Sequence, residues 1–323
     1  MALACLAVCL PGAGAALAAG TSHITLRLDW TPLGVHAPFY YGVAKGIYAK
    51  AGFDVEVEPG NGSASTAELV GAGADDFGFA DAATTARLIG QGLPDKLVMG
   101  ILRRTTLALF FPEGRGIAKP SDLNGKRISM CSGDGISVYM PAYLASLGVK
   151  VQDVKLETVN CGVKYTVVAQ GRADAVMSYA TVGGPLLERV GIMHSGHFDA
   201  GPGFYLPAHG IVVSTKFIKA HPDVVRRFVQ ATAQAWLATE RHQNAAIAAM
   251  IAANPLLKNQ EPTLKQTLAD SLQYVNTPET KGKPFGWQSP KDWKMALQLL
   301  KKNAGMNKDV APDMVYTNAF VGS

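Results

Sequence analysis

The chain has 323 residues, of which 48% are hydrophobic and 17% are charged; 30 lysines and arginines against 25 acidic residues give a net charge of +5. This length predicts about two domains, and this composition excludes a disordered, collagen-like or coiled-coil protein. The basic residues form no cluster, so the sequence indicates no nucleic-acid-binding surface. Its four cysteines are too few for a disulfide-rich scaffold.

The N-terminal segment has the features of a secretory signal. Residues 1–22 contain no charged side chain, are rich in small apolar residues, and include Ala16-Leu17-Ala18, whose A-x-A spacing is typical of a cleavage site. We therefore predict a signal peptide at 1–18, although the usual basic start is missing, and a mature chain exported to the periplasm as a soluble monomer. A membrane anchor is the alternative, because the segment approaches the roughly 20 residues that a spanning helix needs.

Strands and helices alternate in the first part of the mature sequence. Alternating apolar and polar residues predict the strands, and prolines, serines and glycines predict where the helices begin and end. The predicted strands are 24–30, 53–58, 76–80 and 96–102, and the predicted helices are 38–51, one that starts near 65, and 82–90. This alternation predicts βαβ units and a largely parallel sheet.

The same pattern starts again near residue 107. Strands are predicted at 107–111, 127–131, 154–159 and 173–179, with a helical turn at 120–125 and helices at 138–147 and before Gly171. Residues 211–214 predict a strand that returns to the first block. The remaining helices are predicted from Pro222 onward and at 243–253, 262–274 and 290–303.

The order of these blocks predicts an α/β protein of two lobes. We expect a discontinuous first lobe, made of residues 22–109 and 212–323, and a second lobe that covers 110–211. The chain then crosses between the lobes twice. Two crossings make a hinge, and a hinge between lobes makes a cleft that suits a ligand.

Several motifs point to a family. They are Leu28-Asp-Trp-Thr-Pro32 followed by His36, Ala51-Gly-Phe-Asp-Val55, Lys119-Pro-Ser-Asp-Leu-Asn-Gly-Lys126, Gln170-Gly-Arg-Ala-Asp-Ala175 and Val315-Tyr-Thr-Asn318. With these motifs the chain resembles the NMT1/THI5-like (SsuA/THI5-like) periplasmic substrate-binding proteins of ABC importers over most of residues 24–320. The resemblance implies a two-lobe periplasmic binding protein fold of type II, with two Rossmann-like lobes, a two-segment hinge and a helical C-terminal tail.

The resemblance also implies a function. A protein of this kind captures a small ligand by closing its hinge and delivers the ligand to a permease that works with an ATPase subunit. The Asp-Trp-Thr-Pro motif favours a thiamine-precursor pyrimidine, such as a formylaminopyrimidine or hydroxymethylpyrimidine. An aromatic or aliphatic carboxylate, a sulfonate or riboflavin is the alternative ligand.

The same family contains an enzyme, the eukaryotic hydroxymethylpyrimidine phosphate synthase. That enzyme uses a pyridoxal-binding lysine, a histidine donor and a cysteine-rich iron-binding run. Ala80 and Thr84 stand where the lysine and the histidine would stand, and no Cys-Cys-Cys-Phe-Cys run occurs in the sequence. Without an amine no Schiff base forms, so we expect a binding protein without a cofactor rather than an enzyme.

Three ring-bearing residues near the first strand and helix are candidate ligand contacts. Ligands of open parallel sheets bind outside the carboxyl ends of the strands, and Trp30 ends the first predicted strand. Its indole is expected to stack on a planar ring, with core packing as the alternative. His36 is a candidate hydrogen-bonding residue or else a solvent-facing turn residue, and Tyr40 is a further stacking candidate.

Polar residues follow the second and third predicted strands. Asn61, Ser63 and Ser65 form a polar loop at a helix start, where free backbone N–H groups favour anions or ring acceptors. Ser65 alternatively caps that helix. Asp81 is expected to pair with an amino group of the ligand or, with equal weight, to cap the next helix.

The second lobe offers a glycine loop and two tyrosines. Ser132, Gly133 and Asp134 lie between a strand and a helix, where glycine lets the backbone approach a ligand. The segment lacks the GK[ST] sequence of a nucleotide-binding loop. Tyr165 and Tyr179 follow or end later strands and are expected to contact the ligand, with hinge or core packing as the alternative for Tyr179.

The cysteines of the predicted mature chain are Cys131 and Cys161, which both follow strands of the second lobe. Adjacent strands would place them close together, so they form either a disulfide or two buried free thiols. No group of histidines, cysteines and acidic residues has the spacing of a metal site. We therefore predict no metal.

Overall fold

The computed structural model of the chain describes residues 21–131, 137–200, 204, 206–303, 306 and 310–322. Its strands are β1 (Ser22–Arg27), β2 (Phe53–Glu58), β3 (Phe77–Asp81), β4 (Asp95–Leu102), β5 (Leu107–Pro112), β6 (Arg127–Cys131), β7 (Lys155–Val159), β8 (Ala175–Tyr179), β9 (Ser195–Asp199) and β10 (His209–Ser214).

The helices alternate with the strands up to β10 and then follow one another to the end of the described chain. They are α1 (Ala37–Ala44), α2 (Ile47–Lys50), α3 (Ser63–Ala72), α4 (Ala82–Gly90), α5 (Met140–Ser146), α6 (Thr166–Ala169), α7 (Gly183–Glu188), α8 (Thr215–Ala220), α9 (Pro222–Arg241), α10 (Gln243–Ala253), α11 (Glu261–Leu272), α12 (Pro290–Asn303) and α13 (Pro312–Val315). None of these helices is long and apolar enough to cross a membrane.

The strands form two five-stranded mixed sheets. In the first sheet the order is β2-β1-β3-β10-β4, and in the second it is β7-β6-β8-β5-β9. In each sheet four strands run in the same direction, and one strand runs antiparallel to both of its neighbours: β10 in the first sheet and β5 in the second. The strand predicted at 211–214 does return to the first sheet.

Most elements lie where the sequence predicts them, and β2, β6, α4, α10 and α12 have the predicted limits. The first strand is shorter than predicted, so Trp30 lies in the turn beyond β1. The single helix predicted for 38–51 is two helices, because Gly46 adopts φ 65°, a left-handed conformation that interrupts the helical path. The prediction missed β9, whose sequence Ser-Gly-His-Phe-Asp shows little apolar alternation.

A layer of aromatic residues joins the first sheet to the C-terminal helices. One face of α9 is buried as its apolar spacing predicts, and the ring of Phe228 stacks on Phe77 of β3 with centroids 3.8 Å apart. Trp236, about two turns further along α9, contacts Phe39 of α1 edge to face. These contacts hold α1, and hence the loop before it, against the first sheet.

A disulfide joins Cys131, at the end of β6, to Cys161, in the short 3-10 turn after β7. Of the two states that the sequence allows, the structure therefore has the disulfide. The bond ties two neighbouring strand ends of the second sheet together. Cys161 lies three residues before Lys164. The disulfide therefore anchors the segment from which Lys164 and Tyr165 reach the cleft described below.

Reduction of this disulfide is expected to lower the free energy of unfolding by about 2–4 kcal/mol, because the cross-link restricts the unfolded chain. The separation of 30 residues between the cysteines makes the closed loop long enough for such an effect. Urea unfolding with and without reductant measures it. The control is the double variant Cys131→Ala with Cys161→Ala, in which reductant should not change the urea concentration at the midpoint of unfolding. Equal stability of the reduced and oxidised wild-type protein would contradict the prediction.

Candidate functional site

A small cleft lies at the strand ends of the two sheets. The first sheet and its loops contribute Asp29, Trp30, His36, Ser63, Phe79 and His209. The second sheet and its loops contribute Thr106, Lys164, Tyr165, Tyr179 and Thr181. Aliphatic side chains of Leu33, Val35, Leu102, Val182 and Leu186 complete the wall. The cleft has a volume of about 60 Å³.

The floor of the cleft is a carboxylate held between two histidines. Asp29 is in the turn after β1, and its side chain is only 14% exposed. Nε2 of His36 lies 2.9 Å from Oδ1 of Asp29, and Nε2 of His209 lies 3.1 Å from Oδ2. The Leu33 N–H donates to Nδ1 of His36 at 3.0 Å. Since Nδ1 of His36 is thereby an acceptor, its Nε2 carries the proton that is donated to Asp29.

This arrangement sets the charges of the floor. Burial acts to raise the pKa of Asp29, but the hydrogen bonds from His209 and His36 outweigh it and hold this pKa well below the ordinary value of 3.8. Burial acts to lower the pKa of His209, yet the hydrogen bond to Asp29 and the charges of Asp29 and Asp81 raise it above 6.5. Asp29 is therefore a carboxylate near neutral pH, and His209 is biased toward its charged form.

Aromatic rings from both sheets form the walls. The half-buried Trp30 ring faces the ammonium group of Lys164, which lies 5.7 Å from the centroid of that ring and 5.3 Å from the centroid of Tyr165. The hydroxyl group of Tyr165 is hydrogen bonded to Ser178 at 2.8 Å, which fixes the orientation of its ring. Tyr179 meets the ring of His209 edge to face at 5.3 Å. The walls thus offer flat apolar faces and one ammonium group.

The structure brings five of the predicted site residues into this cleft. They are Trp30, His36, Ser63, Tyr165 and Tyr179. His36 is not the solvent-facing turn residue of the alternative, because it is buried and bonded to Asp29. Ser63 lines the cleft at the start of α3, and its Oγ accepts the backbone N–H of Asp81 at 3.0 Å.

Four other predicted residues lie outside the lining of the cleft. Tyr40 is buried in a separate apolar groove between α1, β2 and α10, because the face of α1 that carries it turns away from the strand ends. Asn61 is exposed. Ser65 donates to the Gly62 carbonyl at 2.9 Å and does not cap α3, because the N-cap residue of this helix is Gly62. Asp81 accepts the Thr84 N–H at 2.8 Å and caps α4, which was the alternative role.

Asp81 nevertheless affects the charge of the cleft floor, because its carboxyl group raises the pKa of His209. It is buried directly behind the cleft, and burial raises its pKa to about 7. Its backbone pairs with that of His209 across β3 and β10. The remaining predicted residues, Ser132, Gly133 and Asp134, lie outside the described part of the chain. No group of three or more potential metal ligands occurs among the described residues.

Sequence reasoning missed three charged residues of the cleft: Asp29, Lys164 and His209. The first two had a signal, since Asp29 is part of the Asp-Trp-Thr-Pro motif and Lys164 precedes the candidate Tyr165. His209 had none, because it is 180 residues from Asp29 in sequence and meets it only through the pairing of β10 with β3.

Curated relatives of the chain are of two kinds. Over 305 residues, which are 93% of this chain and 86% of the relative, it is 26% identical to the riboflavin-binding protein RibY of Chloroflexus aurantiacus. Over 160 residues it is 29% identical to a 4-amino-5-hydroxymethyl-2-methylpyrimidine phosphate synthase of Saccharomyces cerevisiae. That match covers 48% of this chain and 45% of the enzyme, so it spans about half of each protein.

Solved structures of binding proteins share the architecture. The alkanesulfonate-binding protein SsuA of Xanthomonas axonopodis pv. citri superposes with a TM-score of 0.72 at 15% identity, covering 93% of this chain and 99% of that one. A periplasmic nitrate-binding protein of Synechocystis gives a TM-score of 0.64 at 14% identity, covering 93% and 87%. The chain thus has the two-lobe α/β fold of periplasmic binding proteins. The family model described as NMT1/THI5 like matches residues 34–246, well over half of the chain, and the chain therefore belongs to the NMT1/THI5-like family.

Proposed function

We propose that this chain is the solute-binding component of an ABC importer and that its cleft closes on one planar heteroaromatic ring, with a thiamine-precursor pyrimidine as the ligand. The observation that carries the proposal is a narrow cleft with aromatic walls from both sheets above a polar floor. Flat faces select flat ligands. In this proposal residues 22–109 and 212–323 form one lobe, residues 110–211 form the other, and the closed surface docks on the permease.

The size of the cleft favours a single ring. A cavity needs at least about 10–15 Å³ to hold one water molecule. A volume of about 60 Å³ therefore has room for a few water molecules. An aminopyrimidine with its small substituents displaces a comparable amount of water. Three fused rings need a wider cleft.

The cleft also has a polar group for the edge of a ligand ring. Oγ1 of Thr106 is buried and has no hydrogen-bond partner among the described residues, and it lies in the lining of the cleft. Buried polar groups are nearly always satisfied, so a ligand atom is the natural partner for this hydroxyl group. An aminopyrimidine carries both donors and acceptors along its edge and can meet such groups from either side.

Riboflavin is the second candidate. The specific observation in its favour is the relative named riboflavin-binding, which matches 93% of this chain. Binding of the three-ring flavin requires that the two walls separate beyond their present spacing, at which Lys164 lies 5.7 Å from the Trp30 ring centroid.

The disulfide supports an oxidising compartment. Cytosolic proteins rarely keep structural disulfides, and both cysteines of this bond are buried. It therefore supports export to the periplasm, with residues 1–18 as the signal peptide. Delivery to a permease and its ATPase then completes the proposed role.

A thermal-shift screen of the mature protein tests the proposal. The panel contains 4-amino-5-hydroxymethyl-2-methylpyrimidine, its formylamino analogue, riboflavin, benzoate, an alkanesulfonate and nitrate. A ligand at 100 times its Kd adds about 2.7 kcal/mol of stability, which raises Tm by several degrees. We expect a pyrimidine to give the largest shift. A shift with riboflavin alone supports the second candidate, and shifts confined to the sulfonate or nitrate overturn the heteroaromatic ligand.

A further inference from the structure

One ring nitrogen of a residue that lines the cleft makes no hydrogen bond within the described part of the chain. His209 is 5% exposed and lines the cleft, and its Nε2 is bonded to Asp29. Its Nδ1 makes no hydrogen bond with any described residue. The ring cannot easily turn to find one, because it stacks on Phe79 at 5.1 Å and meets the edge of Tyr179. A buried polar atom without a partner, on a residue that lines a cleft, indicates a place for a ligand atom.

The hydrogen-bond chain fixes what this nitrogen can do. His36 donates from Nε2 to Oδ1 of Asp29, because its Nδ1 already accepts the Leu33 N–H. Oδ2 of the same carboxylate is an acceptor for His209. Nε2 of His209 therefore carries a proton in both charge states of the ring. It follows that Nδ1 is a donor when the imidazole is charged and an acceptor when it is neutral.

We propose that Nδ1 of His209 recognises the ligand, and that the ligand presents an unprotonated acceptor to it, either a ring nitrogen or a carbonyl oxygen. This inference rests on the proposed function and adds the polarity of the ligand edge that faces the floor. Asp29 and His36 act as positioning residues, since they hold the proton on Nε2 and leave Nδ1 available to a ligand.

The charges around His209 favour its donor state. The titratable and charged groups near it come from the ends of β1, β3 and β8, from the turn before α1 and from the turn after β7: Asp29, Asp81, Tyr179, His36 and Lys164. Burial lowers the pKa of His209, but Asp29 and Asp81 together raise it. Affinity should therefore be highest below the pKa of His209 in the free protein and should fall as the pH rises through it, because Nδ1 then loses the proton that it donates.

The test compares His209→Gln with His209→Asn. The amide of glutamine reaches the position of Nε2 and keeps a donor toward Asp29, but it removes the group at Nδ1. The amide of asparagine stands near the position of Nδ1 and restores a donor there. Dissociation constants for 4-amino-5-hydroxymethyl-2-methylpyrimidine and for riboflavin are measured by calorimetry between pH 6 and pH 9. The ratio of variant to wild type at each pH removes the ligand's own titration.

We expect His209→Gln to weaken binding at least tenfold at pH 6 and to lose its difference from wild type toward pH 9. His209→Asn should recover part of the affinity without the dependence on pH. Thermal unfolding of each variant shows that it is folded, and if the glutamine variant is unfolded the asparagine variant carries the comparison of pH profiles. Equal affinities and equal pH profiles for wild type and variants would overturn this inference and leave the proposed function standing. Failure of wild type to bind either ligand would overturn both.

Discussion

The substitution Asp29→Ala is expected to lower the free energy of unfolding by about 3–5 kcal/mol near pH 6, the cost of breaking a buried ion pair by removing one partner. The carboxylate accepts one hydrogen bond from His36 and one from His209, both of which are almost wholly buried. Its loss leaves two imidazole N–H groups without an acceptor. Denaturant unfolding measures the effect.

The matched control is Asp29→Asn, which keeps the shape and one acceptor oxygen but removes the charge. This variant should lose about 1–2 kcal/mol, roughly one charge-assisted hydrogen bond. A loss equal to that of the alanine variant would mean that the charge alone matters. A loss below 1 kcal/mol for Asp29→Ala would show that the two histidines do not depend on this carboxylate.

The effect of Asp29→Ala should itself depend on pH. The pKa of Asp29 is lowered in the folded protein, so its contribution is complete above its ordinary pKa of 3.8 and is lost as the pH falls through the folded value. The pKa of His209 is raised, so its contribution is complete below 6.5 and is lost as the pH rises through the folded value. The difference from wild type is therefore largest between about pH 4 and pH 6.5.

The substitution Trp30→Ala is expected to weaken ligand binding about ten- to hundredfold, because stacking on an aromatic ring contributes about 1–3 kcal/mol. The Trp30 ring is half-buried and forms one wall of the cleft opposite Lys164. Calorimetric titration with 4-amino-5-hydroxymethyl-2-methylpyrimidine measures the change. The fold should persist, because the side chain is not part of the fully buried core.

Trp287 provides a matched control for this prediction. It is also half-buried and also has a lysine over its ring, with Nζ of Lys283 5.3 Å from the centroid, but it does not line the cleft. Trp287→Ala should bind with the affinity of wild type. If both substitutions weaken binding equally, the effect of Trp30→Ala is a general loss of packing, and Trp30 is not a ligand contact.

The sequence predicts the elements of the fold well because their signals are local. The alternation in β2 and the apolar spacing of Val225, Phe228 and Trp236 along α9 each depend on a few neighbouring residues. The sequence does not predict β9, because this strand has no such alternation and forms through its pairing with β5. Pairing between distant strands cannot be derived from local periodicity.

The site could be predicted only in part for the same reason. The rule that ligands bind at strand ends predicts Trp30 and Tyr179 as ligand contacts, and both residues line the cleft. Helical periodicity alone does not say which face of α1 meets the strand ends, so the sequence could not indicate that Tyr40 lies in a separate groove. The bond between Asp29 and His209 depends on β10 crossing back into the first sheet, which is a property of the topology.

The decisive experiment is a crystal structure of the mature protein with 4-amino-5-hydroxymethyl-2-methylpyrimidine. We expect one pyrimidine ring in the cleft, stacked on Trp30, with an acceptor atom within hydrogen-bonding distance of Nδ1 of His209. A ring bound outside the cleft, or a cleft that contains only water at saturating ligand, would refute the proposed site.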